Sequence, residues 1–584
     1  MGELTLEPVH PRHRWALGLA SILCVLAIAA TACGKSSNSS GGSTTPTTGA
    51  RTSQTLAATT PPKSGGTITV GLEAEQSGFN PANSSTRWDI SGTEEGLAIY
   101  DPMVAFDASG NWKPYLAKSF VPNSTYTEWT VTMRSGVTFQ DGTPLTADAV
   151  VTAYKAFIQG ALTGPIFADV TSVQSTGPLT LTFDMKTPWV SFPATLASQV
   201  GMIPAPSTMT IGADGKVAAT DASNSHPIGT GPFAFKSWVP NSEFVTAKYK
   251  SYWRKDTNGV QLPYLDGITF KPITDHTTRD AAMDSGNIDV EQNDNANSLI
   301  HFRQEASAGK VQLVEDNGPG EESDFVILNT QDPALKDPLV REALAYATNR
   351  SAYNTVINQG VLSDASGPFK PISRWYTPTT YPNYNLAKAK ELVQQYTQKT
   401  GHPPTFTLGA TNDPDSQKGA TLLQQMWQQA GMKITTKSVD QTSFISDAVV
   451  GNYQANLWRQ FGAVDPDTDA LWWYSANAGN GPTGGLTLNI ARNKDPQVDA
   501  ALDKGRQATT FAARKAAYDQ LQQRFAVDIP YVWLQHVIWF IVAKNTVRGL
   551  TNGPLPDGEP SLPIGGGGDF GGVIRWTQMW VTTA

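Results

Sequence analysis

Asp465, Asp467 and Asp469 alternate as the first ligands of a calcium loop do. Such a loop then needs a Gly for its sharp turn and a closing bidentate Glu, and the chain supplies Ala470 and Ala476 there. The run therefore reads as a turn capped by Asp side chains, and no metal site is expected. Glu94-Glu95 and Glu321-Glu322 are paired acids of the type glycoside hydrolysis uses. Adjacent residues rarely face one substrate, so helix-surface or loop charge explains them better. No His-x-x-x-His spacing and no Gly-x-Ser-x-Gly elbow occurs, so no catalytic constellation emerges. Thiolate chemistry is excluded from the main body because the two cysteines are Cys24 and Cys33. Gly34-Lys35-Ser36 mimics the end of a phosphate-binding loop without its earlier Gly, and no Lys-Ser/Thr follows Gly565 to Gly568. No cofactor is implied.

What remains is chemistry of binding. The 16 Trp are many for this length. Trp472-Trp473-Tyr474 is a dense cluster, and a core role would gain about 1.5–3 kcal/mol for each buried ring. Trp88 and Trp375 lie in loop-like contexts that suit the wall of a cleft, where flat rings with a polar handle recognise sugars, peptides or cations.

The elements that must carry these residues follow from periodicity. Thr67 to Leu72 alternates as a half-buried strand, as does Trp129 to Met133, and Leu179 to Asp184 is another strand. Asp141-Gly142 is a turn, and Thr146 caps a helix from Ala147 to about Gln159. Strands are expected at Phe325–Asn329 and Thr405–Leu408, and helices at about 339–357 and 416–430. The second helix puts Leu422, Leu423, Met426, Trp427 and Ala430 on one face, with Gly431 closing it. A strand over Met432–Val439 completes a βαβ unit, so a parallel, helix-covered sheet is expected. Helices at 497–507 and 511–527 precede Pro530 and a short strand at Tyr531–Leu534.

The ends speak of export. Arg12, His13 and Arg14 precede an uncharged apolar run from Ala16 to Ala30, too short for the roughly 20 residues that span a bilayer and suited to a signal peptide. Ala30-Thr31-Ala32-Cys33 resembles a bacterial lipobox, with Ala30 in the place usually held by Leu; plain cleavage near Ala32 is the alternative. Gly34 to Ser64 is rich in Ser, Thr, Gly and Pro and reads as a flexible tether. The globular part from about residue 65 is too long for one core and should form at least two lobes. A net charge of −8 argues against nucleic-acid binding through a basic face.

Three blocks carry a family resemblance. They are Leu116-Ala117-Lys118-Ser119-Phe120, Trp129 through Phe139, and Asp141-Gly142-Thr143-Pro144-Leu145-Thr146-Ala147-Asp148-Ala149-Val150. Gly229-Thr230-Gly231-Pro232-Phe233, Ser285-Gly286-Asn287-Ile288-Asp289, Val340 to Ala347 and Asp465-Pro466-Asp467 agree with them. Together they resemble the extracellular solute-binding proteins of family 5, the oligopeptide-, dipeptide- and nickel-binding subunits of ABC importers.

The resemblance implies an α/β, periplasmic-binding-protein-like fold of class II, cluster C type: two lobes around a ligand cleft, with an extra subdomain inserted in the first. The expected boundaries are lobe I over 65–325 with the insertion at about 99–224, lobe II over 326–525, and a return to lobe I over 526–584. It also implies a monomer, lipid-anchored at Cys33, that passes a small-molecule ligand to ABC permease and ATPase subunits. A secreted hydrolase or a non-transport surface protein are the alternatives. The ligand-binding candidates are Trp88, Trp375, Trp458, Arg459, Phe461, Asp465 and Trp472. Peptide-binding members pair the ligand's α-ammonium with an Asp three residues before the Asp-Pro pair, and that position is Gly462; the aromatic before it falls at Arg459. Peptide, oligosaccharide, opine and metal–chelate ligands all stay open.

Overall fold

The alternation read in Thr67–Leu72 builds a strand whose inward residues Ile68, Val70 and Leu72 are buried. In the computed structural model, which describes residues 54–56, 61–84, 87–316, 318, 320, 322–568 and 570–582, it is the centre of a seven-stranded sheet. Thr67–Leu72 pairs in parallel with Gly267–Pro272 on one side and Val290–Asn293 on the other. Phe540–Lys544 then joins antiparallel between Val290–Asn293 and Val311–Glu315. The proposed signal 1–33 with Cys33, and most of the tether, lie outside the described residues. Within the tether, Gln54 exchanges backbone hydrogen bonds with Leu313 and so extends this sheet's edge.

The second lobe is a six-stranded sheet in the order Ser363–Asp364, Tyr531–His536, Ser323–Leu328, Ala455–Gln460, Thr405–Thr411, Lys433–Val439. The βαβ unit stands as expected. Thr405–Thr411 runs parallel to Lys433–Val439, and the helix Pro414–Gln429 crosses between them with Leu423 and Trp427 buried. Asp413 caps that helix by accepting from the Ser416 N–H, and Gly431 leaves it at φ +97°, a conformation only Gly adopts cheaply. The helix expected over 339–357 is two: Pro338–Ala347 and Arg350–Ile357. Asn349 causes the break, because its side chain caps the second helix at the Ala352 N–H instead of continuing the first.

A four-stranded antiparallel sheet, Ala117–Pro122, Glu128–Met133, Thr180–Met185 and Val170–Gly177, forms the inserted subdomain. The helix Ala147–Gln159, capped by Thr146, covers it. The chain leaves the first sheet after Val311–Glu315, enters the second at Ser323–Leu328, and returns through 537–539. The sequence set that return at about 526, but Tyr531–His536 still pairs with Ser323–Leu328 and stays in the second sheet.

This topology places the candidate site. Parallel strands end at the same edge, and the loops beyond their carboxyl ends carry the groups that meet a ligand in open α/β sheets. Glu73 follows Thr67–Leu72, Asp294 follows Val290–Asn293, and Asp413 and Asp415 follow Thr405–Thr411. Arg459 lies near the end of Ala455–Gln460, which is parallel to Thr405–Thr411.

Candidate functional site

Arg459 crosses from one lobe to the other. One Nη lies 2.5 Å from Glu73 Oε1 and the other binds Asp294, both in lobe I, while Nε reaches Glu322 Oε2 at 2.9 Å on its own side. Its guanidinium carbon stands 4.7 Å from the Trp539 ring centroid, a cation–π distance, and Trp539 lies on the return crossing. Asp324 faces Arg459 directly across the strand pair. One cation thus answers carboxylates from both lobes.

The titration behaviour follows. Burial alone would pull the Arg459 guanidinium down, but Asp294, Glu73 and Glu322 raise it well above its ordinary value. Glu322 is pushed up to about 8 by burial and by Glu73 and Asp294, against the pull of Arg459. Asp324 rises to about 7 by burial and Asp294, and Asp89 to about 6 by burial and Glu73. The site holds more carboxylates than its guanidinium can neutralise.

Further contacts join the lobes. His276 Nε2 is 3.2 Å from Asp415 Oδ2, and Asn295 Nδ2 donates to the same oxygen at 2.9 Å. On the subdomain side, Asp467 accepts from Trp189 Nε1 at 2.6 Å and from Ser191 Oγ at 2.7 Å, and Arg506 Nε binds it at 3.0 Å. Trp189, Asp467 and Arg506 border a cavity of about 200 Å³ between the subdomain and lobe II.

Residues 111–482, more than half of the chain, match the family described as bacterial extracellular solute-binding proteins, family 5. The chain belongs to this family. It is a solute-binding protein of the kind that serves ABC importers. A glutathione-binding protein GsiB from Pectobacterium atrosepticum is 26% identical over 75% of this chain and 82% of its own length. One from Salmonella paratyphi A is 27% identical over 77% and 85%. Among solved structures, Helicobacter pylori DppA with the peptide STSA superposes with a TM-score of 0.74 at 22% identity, covering 89% of this chain and 98% of its own. AgaA from A. tumefaciens R10 with agropinic acid gives 0.71 at 24% identity over 85% and 96%. The fold is that of the periplasmic binding proteins.

Of the residues singled out in this family member, Arg459 stands between the lobes. Its neighbour Trp458 stacks on Phe444 with centroids 5.5 Å apart. Phe461 lies parallel to Phe325 at 5.0 Å in a buried aromatic group with Tyr531 and Trp533. Asp465 is engaged by Arg514 through two hydrogen bonds of 2.8 and 2.7 Å. Burial would raise its carboxyl, but Arg514 holds it below its usual value. Trp375 is buried and donates to the Val464 carbonyl at 3.0 Å, with Arg514 over its ring, so it shares a partner with Asp465. Trp472 is buried with Arg87 above it at 5.9 Å. Trp88 sits apart in the lobe I core, donating to the Gly78 carbonyl.

Glu73, Asp294, His276 and Asp415 were not singled out from sequence. No spacing joins them, because four separate elements bring them together. The one signal available was position: three are acids just past the carboxyl end of a parallel strand.

The His276 contact makes closure depend on pH. The hydrogen bond to Asp415 raises the His276 pKa, with Asp415 and Asp280 charges adding to it and burial and Arg279 opposing. Its stabilisation of the closed form is full below the ordinary histidine pKa and is lost as pH rises through the raised value. Ligand affinity, measured by calorimetry from pH 5.5 to 9, should therefore fall with rising pH by about tenfold or less. His276→Gln should flatten that part of the profile; an unchanged slope would assign the dependence elsewhere.

Proposed function

We propose that this protein captures a small peptide or a similar solute between its lobes and hands it to an ABC permease with its ATPase subunits. We place it on the outer face of the cytoplasmic membrane as a monomer held by lipid on Cys33. The observation that carries the ligand reading is the pair of sheets joined by two crossings, with charged groups meeting across their facing strand ends. Closing two lobes on a solute desolvates it and gives the membrane partner a shape to read. The glutathione- and peptide-binding relatives support the peptide class.

The α-ammonium of such a ligand is not read in the family's usual way. A Cβ built on Gly462 would lie 2.6 Å from the Gly571 nitrogen and 3.0 Å from the Phe570 carbonyl carbon. Those are backbone atoms, so a carboxylate at this position has no room unless the 570–571 segment moves. Asp465 is already engaged by Arg514 on both oxygens and by the Asp467 N–H. Both observations favour a ligand recognised without a free α-amine at this point.

Calorimetry with a mixed peptide pool and the same pool N-acetylated tests this reading. Equal binding of both is expected; binding abolished by acetylation, and also by Asp465→Asn, would restore ammonium recognition. The anchor is tested by Cys33→Ala, which should move the protein from the membrane fraction to the medium or leave a precursor. A wild-type protein without lipid by mass spectrometry would refute the anchor.

A further inference from the structure

The carboxylates around Arg459 have one feature of a ligand site that an ordinary ion pair lacks: they outnumber their cation, and some of their acceptor capacity is unused. Glu322 is buried and binds Arg459 through Oε2, while its Oε1 has no hydrogen-bond partner. Glu95, only 4% exposed, carries a buried oxygen without a partner and faces Glu75 and Asp89. Asp89 in turn interacts with Glu73 and Arg459, so these acids form one continuous field. Buried polar atoms without partners are uncommon in native proteins and call for a reason.

The shape of the cage is specific. Two lobe I carboxylates and Glu322 take the separate N–H directions of a planar fork, and Trp539 offers a ring at cation–π distance. Carboxylates that accept along several directions, together with an aromatic ring, match a guanidinium better than a point-like ammonium. Among the described residues no group of three or more acids or imidazoles is gathered so as to hold a metal ion, which favours an organic cation.

The occupant is also removable. The Arg459 side chain keeps 28% of its exposure, and it belongs to lobe II while Glu73 and Asp294 belong to lobe I. When the lobes part, Arg459 leaves with its own lobe. Glu73 and Asp294 are then unpaired at the mouth of the cleft, a negative surface that draws in cations.

We propose that Glu73, Asp294 and Glu322 against Trp539 form a guanidinium subsite of the ligand cleft, which Arg459 fills until a solute carrying a guanidinium group displaces it. The inference rests on the cleft being the solute-binding site. It deepens that reading by naming the ligand's charge and shape. Arg459 is then an internal competitor: it holds the unliganded lobes together and sets a threshold that only a cation of the same form passes. A ligand that must displace it binds with an apparent affinity reduced by the fraction of molecules in which the subsite is free.

The probes are the tripeptide Gly-Arg-Gly, acetylated and amidated, and its neutral isostere with citrulline in place of arginine. Both lack a free α-amine, so ammonium recognition plays no part. Wild-type protein should bind the arginine peptide about 10- to 100-fold more tightly than the citrulline peptide by calorimetry. Glu73→Gln with Asp294→Asn should erase that difference. Arg459→Met should tighten binding of the arginine peptide by about tenfold more than it tightens binding of the citrulline peptide. Should Arg459→Met fold poorly, the wild-type preference and its loss in the double variant decide the matter. Equal binding of the two peptides by wild type overturns the proposal, as does binding of neither by a protein that still closes on neutral peptides; in both cases the solute-binding reading stands. A protein that binds no peptide of any kind overturns both.

Discussion

Arg459 is the point at which the two lobes are electrically joined. Glu73 and Asp294 on one side and Glu322 and Asp324 on the other would repel if brought together bare, and like charges at close range in a low-dielectric setting are costly. The guanidinium converts that repulsion into attraction. Removing one partner of such a buried network costs about 3–5 kcal/mol, because the others are left uncompensated. Glu322 and Asp324 are raised chiefly by burial and further by neighbouring acids, against the pull of Arg459. His276 repeats the device on a smaller scale between the two helix starts, with Asp415 as the acid.

The backbone around Arg459 is arranged to let this happen. The outward crossing, the end of the Ala455–Gln460 strand and the glycine-rich C-terminal segment come into contact through Gly320, Gly462 and Gly571. A Cβ on Gly462 would strike the 570–571 backbone, and one on Gly571 would lie 2.9 Å from the Gly320 carbonyl oxygen and from Trp539 Cδ1. Only the absence of side chains allows three main chains to pack there. The same contact that removes room for a carboxylate at 462 therefore seats Trp539 and Glu322 beside Arg459.

Much of this was legible in the sequence, and the parts that were not have physical causes. Local signals were sufficient where one element decides its own form. Thr146 capped the helix Ala147–Gln159 as expected, and the 3.6-residue stripe through Leu423 and Trp427 marked the crossover helix with Gly431 at its end. The break at Thr348-Asn349 was missed because a capping Asn inside an apolar pattern looks the same as a tolerated one. Arg459 was noticed only as a departure from the family's aromatic, since nothing in its neighbourhood announces Glu73 or Asp294, which arrive from distant strands. The tryptophans illustrate the converse: composition announces a surplus of rings, but burial is a property of the assembled core, where Trp88, Trp375, Trp427 and Trp533 are packed.

The central claim is that closure of the lobes is a charge-neutralisation event governed by Arg459. Distances between spin labels at Ser285→Cys on lobe I and Gln398→Cys on lobe II, in protein lacking the first 33 residues, measure it directly. Without ligand, wild type should show a substantial short-distance population, and Arg459→Met should shift most of it to longer distances. An unchanged distribution in a folded Arg459→Met protein would contradict the account, because the lobes would then be held together by something other than this cation.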